Sequence, residues 1–296
     1  MLKQLCISAG NIKNGTSETL RNETVVKTEN VKPISDHVPK HFKPIKEDEF
    51  GHYLAGLIDA LGQFTNKQQL VIEFNSLDAS LAYYIKKRVG FGRVKKVKNT
   101  RGGLILEIDA IKGLEKVINL INGKIRRENK LNQIINNILN QDNYVEFRKK
   151  ISLHCNSTKD FKNHWLAGFS DGEADFQIKE LNWSKKEEVR LNFQIDQKDS
   201  ILLLIKDFLG GNLSYNPESP RAETPLYKYN SSSYASAKNV INYFDYFHLL
   251  SSKQINYLKW RKAYLIIQKR DHLNKDGFEK IIKLKNSMNR LSVTTV

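Results

Sequence analysis

Residues 53–64 read YLAGLIDALGQF and residues 165–176 read WLAGFSDGEADF, two versions of one motif 112 positions apart. In the first copy Leu54, Leu57, Ile58 and Leu61 fall at i, i+3, i+4 and i+7, the apolar stripe of a helix. Asp48 stands where an N-cap belongs and Gly62 where the C′ residue belongs. Gly56 and Ala60 are four apart, and Gly168 and Gly172 repeat that spacing. Small residues at i and i+4 let two helix backbones approach closely. The two motif helices are therefore expected to pack on each other at a pseudo-twofold axis, their C-terminal ends side by side. Leu54, Gly56, Leu57 and Ala60 would meet Leu166, Gly168 and Gly172. Asp59, Asp171 and Glu173 close the motifs, and such acids are costly to bury at a helix contact without a partner. A divalent cation is one such partner. The copies differ at one telling place, where Glu173 is matched by Leu61.

The repeat extends beyond the motif. QLVIEFNSLDASLAYYIKKRVGFGRV (69–94) and VRLNFQIDQKDSILLLIKDFLGGNL (189–213) each give an alternating strand, an amphipathic helix and a glycine turn. Ile85 and Gly90 answer to Ile205 and Gly210 at an offset of 120, because ELNWSKKEE lengthens the first hairpin of the second copy. A second hairpin and further helices follow in both. Each unit thus reads αββαββα, an α+β class built twice. Residues 47–150 form the first unit and 151–296 the second, closed by a last helix in NKDGFEKIIKLKNSMNRL. Residues 1–46 are polar, lack a period of 2 or 3.6, and carry Pro33, Pro39 and Pro44; they read as a flexible or loosely docked extension.

Composition narrows the partners. The formal net charge of +16 points to a polyanion, nucleic acid first. Two cysteines support neither a disulfide framework nor a zinc site. No run of 18 apolar residues offers a membrane span. Lys3, Lys13 and Arg21 are interspersed with Glu18, Glu23 and Glu29, unlike an acid-poor import presequence.

LAGLIDALG (54–62) and LAGFSDGEA (166–174), in this repeat context, resemble the LAGLIDADG homing endonucleases in their single-chain, two-repeat form. The resemblance covers roughly residues 47–296, and the tail SKQINYLKW…LKNSMNRL is similar to fungal mitochondrial intron-encoded members. It implies a monomer acting as a pseudo-dimer, two antiparallel sheets forming a saddle in the DNA major groove, and a mitochondrial setting. It also implies an acid at the eighth motif position of each half holding Mg²⁺ or Mn²⁺, here with fewer sites. Some members act instead as maturases that help a group I intron RNA fold and splice.

Strand alternation assigns faces independently. Leu191, Phe193 and Ile195 point one way and Arg190, Asn192, Gln194 and Asp196 the other; Phe176 and Ile178 oppose Gln177 and Lys179. Polar residues on an open strand face suit base edges, and hairpin cations suit phosphates. Gln177, Lys179, Arg190, Asn192, Gln194 and Lys198 are the candidate contacts of the second half, and Arg93, Lys95, Lys98 and Arg101 those of the first. Phosphodiester hydrolysis with metals needs oxygen ligands over the scissile phosphate. Glu173 and the Gly172 carbonyl are the candidate ligands, with Gln197 and Lys253 as catalytic partners and Lys124 as a looser first-half counterpart. Leu61 cannot bind a hard cation, and Asp59 lies about 200° around the helix from it. Asp175 is a weaker auxiliary acid because it starts a strand. Three readings stay open: a DNA endonuclease with one damaged site, an RNA-binding maturase, and a decayed intron protein.

Overall fold

The first motif forms helix α1 (Glu47–Leu61), buried along nearly its whole length from Phe50 to Ala60. Its start differs from the expected Asp48 cap. Lys46 is the N-cap, and Glu49 reaches back so that its Oε2 accepts from the Ile45 and Lys46 amides at 3.0 and 3.2 Å. Asp48 lies inside the first turn, where an acid suits the helix dipole. Gly62 also departs from expectation: at φ −74° and ψ 147° it makes no left-handed turn and passes straight into a strand.

The computed structural model describes residues 32–97, 103–183, 186–197, 199–216 and 226–288. By its contacts the chain divides after Pro33, and the elements named here all belong to the unit that begins at Ile34. After α1 come β1 (Gly62–Thr65), β2 (Gln69–Phe74), α2 (Ala79–Val89), β3 (Arg93–Lys96), β4 (Leu104–Ile108), α3 (Ile111–Ile121), α4 (Glu128–Ile134) and α5 (Val145–Lys150). The second motif opens α6 (Trp165–Glu173), then β5 (Ala174–Trp183), β6 (Lys186–Gln197), α7 (Ile201–Leu209), β7 (Asn212–Asn216), β8 (Leu226–Asn230), α8 (Tyr234–Phe244), α9 (Lys253–Gln268) and α10 (Lys275–Ser287). The two sheets have the same antiparallel topology, β1-β2-β4-β3 and β5-β6-β8-β7. This is the doubled αββαββα plan that the repeat implies. Gly90 and Gly210, matched across the repeat, both take positive φ (82° and 74°) as they end α2 and α7. Glycine meets that demand without the Cβ clash of other residues.

One face of each sheet is apolar and buried. Leu70, Ile72, Leu106 and Ile108 line the first; Phe176, Ile178, Leu191, Phe193 and Ile195 line the second. The inward set of β6 matches the alternation in the sequence.

Residues 34–46 correct the reading of a loosely held extension. Ile34 exchanges two 2.9 Å bonds with the Gln268 amide, and Arg261 Nη2 donates to the Ser35 and His37 carbonyls. Further on, Arg88 Nη1 donates to the Pro44 carbonyl at 2.7 Å. The segment therefore runs from helix α9 of the second repeat to helix α2 of the first. Its backbone polar groups are met by long side chains rather than by a ladder, which is why no sequence period betrays it.

Candidate active site and nucleic-acid face

Helices α1 and α6 pack at the closest approach that side chains permit. A Cβ on Gly56 would stand 1.9 Å from the Trp165 carbonyl oxygen, and one on Gly168 would stand 2.0 Å from that of Tyr53. At the C-terminal end, a Cβ on Gly172 would meet Ala60 Cβ at 2.5 Å and Leu61 Cγ at 2.9 Å. The contact foreseen through Leu54, Gly56, Leu57, Ala60, Leu166, Gly168 and Gly172 thus has a backbone-to-backbone centre.

Two buried aspartates lock this pair reciprocally. Tyr53 on α1 donates its hydroxyl to Asp171 on α6 at 2.6 Å. At the equivalent place Trp165 on α6 donates Nε1 to Asp59 on α1 at 2.9 Å. Each acid also receives two amides from its own half: Arg126 and Arg127 for Asp59, Leu250 and Ser251 for Asp171. Asp59 is 0% exposed, and burial pushes its pKa up to about 7 against those donors. Burial likewise raises the Asp171 carboxyl above its ordinary value. These acids fasten the fold and do not face a ligand.

Glu173 ends α6, half-buried, with Gln197 as a hydrogen-bond partner. Burial raises its carboxyl above the ordinary value, while Lys253, Arg127, Gln197 and Lys130 pull it down. Lys253 Nζ donates to the Ser170 and Gly172 carbonyls at 3.2 and 2.9 Å. Burial lowers its pKa, opposed by Asp171, Asp78, Glu173 and Asp175. Glu173, Gln197 and Lys253 thus stand together at the end of α6.

It does not bring Lys124 there. Lys124 Nζ lies 3.3 Å from Asp48 Oδ1, at the start of α1 and ~20 Å of helix rise from Leu61. Lys130 takes the first-half place instead, 6% exposed and donating to the Gly62 carbonyl. Burial and the nearby Arg127 charge lower its pKa, and Asp59 and Glu173 raise it. Arg127 donates Nη1 to the Asp59 carbonyl and Nε to Asp199 of the other half, at 2.6 and 3.0 Å. In the reverse direction Asp78 accepts the Ser252 amide at 2.7 Å, just ahead of Lys253. Asp78, with Leu77, stands where the first half answers to Gln197; sequence reasoning missed Arg127, Lys130 and Asp199. The one available signal was the offset of 124 that aligns Arg126 and Arg127 with Leu250 and Ser251.

A metal site fits these residues poorly. Opposite Glu173 stands Leu61, packed against the core. The Gly172 carbonyl, a candidate ligand, already accepts from Lys253. Among the described residues no three His, Cys, Asp or Glu side chains are grouped so as to hold a metal ion. Lys130, Arg127 and Lys253 gather around Glu173, with Asp199 on Arg127 and Asp78 and Asp175 acting on Lys253, and such cations suit phosphate oxygens.

The outward sheet faces carry most of the other candidates. On the first sheet Arg93 is paired with Asp109, and Lys95 with Glu107. On the second, exposed Lys179 and Arg190 are direct cross-strand partners, two like charges of which Arg190 is also paired with Glu188 at 3.3 Å. Gln177 and Gln194 are half-exposed. Asn192 corrects the expectation of a free base contact: it is 3% exposed, covered by Gln177, Gln194 and Asn230. Lys98, Arg101 and Lys198 lie outside the described residues. No helix among the described residues is long and apolar enough to cross a membrane.

The sequence model of the LAGLIDADG endonuclease family matches residues 166–264. An uncharacterised cox1 intron-2 protein of 37.2 kDa from Schizosaccharomyces pombe is 58% identical over 285 residues, which cover 96% of this chain and 85% of that protein. A probable intron-encoded endonuclease of Neurospora crassa is 26% identical over 83% of this chain and 45% of its own length, so this chain spans less than half of it. In fold, the chain is similar to I-SmaMI, solved bound to its uncleaved DNA target in the presence of calcium ions. The TM-score is 0.61 at 21% identity, over 81% of this chain and 98% of that one. With both motif helices, both sheets and this kinship in place, the chain belongs to the LAGLIDADG endonuclease family, in its single-chain, two-repeat form.

Proposed function

We propose that this protein binds a long double-stranded DNA target along the outward faces of its two sheets and cuts it poorly, nicking one strand or neither. The observation that carries the reading is the asymmetry at the motif ends: Glu173 on one side, Leu61 on the other, ringed by Lys130, Arg127 and Lys253. The three cations seat backbone phosphates at the centre of the site. The Lys179–Arg190 pair holds phosphates farther out, and Arg93 and Lys95 do so once they exchange their acidic partners for DNA. Glu173, oriented by Gln197, is the one group placed to act as a base or cation ligand toward a central phosphate. Mg²⁺ or Mn²⁺, if recruited, would supply charge stabilisation and an activated water, but one carboxylate gives it half of a paired site. The cox1 intron relative supports an intron-encoded origin and a mitochondrial setting.

The test uses two ligands side by side: a duplex spanning the insertion site of the protein's own intron, and the intron RNA, across a salt series. Tighter binding to the duplex, with a plasmid carrying that site left supercoiled or nicked in Mg²⁺, is the expected outcome. Rapid linearisation would overturn the impaired-cleavage reading. Preference for the RNA at every salt concentration would transfer the protein to splicing assistance. Phosphate contacts lose affinity with salt for either ligand, so the comparison, not the slope, decides.

A further inference from the structure

Asp78 stands at the N-cap of α2, where an aspartate ordinarily accepts amides of its own helix. It makes no such bond. Its Oδ1 instead accepts the Ser252 amide, 174 residues on, at 2.7 Å. Asp199, just ahead of α7 in the second half, serves both its own helix and the other half. Its Oδ1 accepts the Ile201 amide at 3.2 Å, and its Oδ2 accepts Arg127 Nε at 3.0 Å. Of the two acids, Asp78 gives up its local cap for the cross-half bond.

That bond completes the start of α9. Asp171 accepts the Leu250 and Ser251 amides at 2.8 and 3.2 Å, and Ser251 Oγ accepts the Lys253 amide at 3.1 Å. Ser252 is the N-cap, but its own side chain makes no capping bond. Between Leu250 and Lys253, the Ser252 amide is therefore the backbone donor held from the first half. A helix start has no internal partners for its first N–H groups, and a carboxylate there also suits the dipole. Lys253 follows at once, and its Nζ reaches the Ser170 and Gly172 carbonyls at the end of α6, beside Glu173. A shift in the first turn of α9 is thus passed to the ammonium group.

We infer that Asp78 is a positioning residue for the Glu173 site: the half that carries Leu61 reaches across to fix the backbone from which Lys253 meets a central phosphate. The first half then serves the chemistry of the second through a backbone bond rather than as a ligand. The inference rests on the DNA-binding reading and adds to it a dependence of one half's site on the other half.

The experiment measures binding of the full chain to a duplex spanning the insertion site of its own intron, with single methylphosphonates placed in turn at the central phosphates. A methylphosphonate removes one charge, so it costs affinity where a positioned cation meets that phosphate. The parent is expected to lose about tenfold at the phosphates met by Lys253 and by Lys130. Lys253→Met and Lys130→Met assign them, since each should erase one penalty. Asp78→Ser carries an oxygen one bond shorter, which caps α2 locally and gives up the span to Ser252. It should cut the Lys253 penalty to about threefold or less and leave the Lys130 penalty unchanged. Asp78→Asn keeps an acceptor oxygen in place and should behave as the parent. Thermal melts set a temperature at which all variants are folded. A Lys253 penalty that Asp78→Ser leaves at the parental value, a fall shared equally by both phosphates, or a fall that Asp78→Asn also produces would overturn the inference while DNA binding stands. A parent that binds the duplex but has no sensitive central phosphate would do the same. If the parent binds no duplex, the DNA reading itself has failed and this inference falls with it.

Discussion

Leu61 occupies the place where the repeat presents a carboxylate, and its neighbours explain why the fold accepts it. It lies against Gly172 and the core, completing the apolar stripe of α1. Replacing it with aspartate adds a charged oxygen facing the end of α6 and removes bulk rather than adding it, so no overlap arises. Leu61→Asp is expected to speed strand cleavage in Mg²⁺ by about tenfold or more, equivalent to roughly 1.4 kcal/mol of barrier, read from plasmid linearisation. A variant that binds DNA normally yet cuts no faster would show that more than one acid is missing. Conversely, Glu173→Gln keeps shape and removes charge; any residual nicking should disappear, and unchanged nicking would place the chemistry elsewhere. Glu173, Gln197 and Lys253 were legible because each sits at a recognisable position of the repeat. Lys130 and Arg127 were not, since their relation to Glu173 is made only when helix α4 of one half is brought to helix α6 of the other.

At the scale of elements, the motif helices carry the argument. Their register was readable from Gly56, Ala60, Gly168 and Gly172, because small residues four apart have few other uses on a buried helix. The reciprocal bonds Tyr53–Asp171 and Trp165–Asp59 were not readable, although the first residue of each motif supplies the donor. Gly56→Val tests the packing directly. Its first added carbon would lie 1.9 Å from a backbone oxygen that has no rotamer with which to yield. The helices must separate, and a loss above about 3 kcal/mol is expected in urea unfolding. A midpoint equal to that of the parent would contradict the close approach. The strand faces show the opposite balance. Period-2 alternation gave the orientation of Arg190, Asn192, Gln194 and Asp196 on β6, but not that Asn192 is covered by its neighbours, because cover depends on side chains from β5 and β8.

Across the whole molecule, the acids that join the repeats make stability depend on pH. The unfolded Asp59 carboxyl loses its proton near 3.8, the ordinary value for an aspartate, and the folded one near 7. Between those values the folded state holds a proton that the unfolded state has released, so stability from this group falls as pH rises, by at most about 1.4 kcal/mol per pH unit. Asp59→Asn has no such proton. Its stability deficit relative to the parent should be largest near pH 4 and shrink toward pH 7, as measured by paired thermal melts; a constant difference would mean that Asp59 is ionised throughout. The sequence by itself determined the doubled αββαββα plan, the facing of the strands and the pairing of Leu61 with Glu173 across the repeat, because periodicity, small-residue spacing and repeat alignment are local or register-preserving signals. Only the tertiary structure decided that residues 34–46 bind both repeats, that Lys130 rather than Lys124 stands in the first-half position, and that Asp78 reaches across to the start of α9. Each of those depends on side chains far apart in the chain meeting at one point, and chain spacing does not encode that meeting.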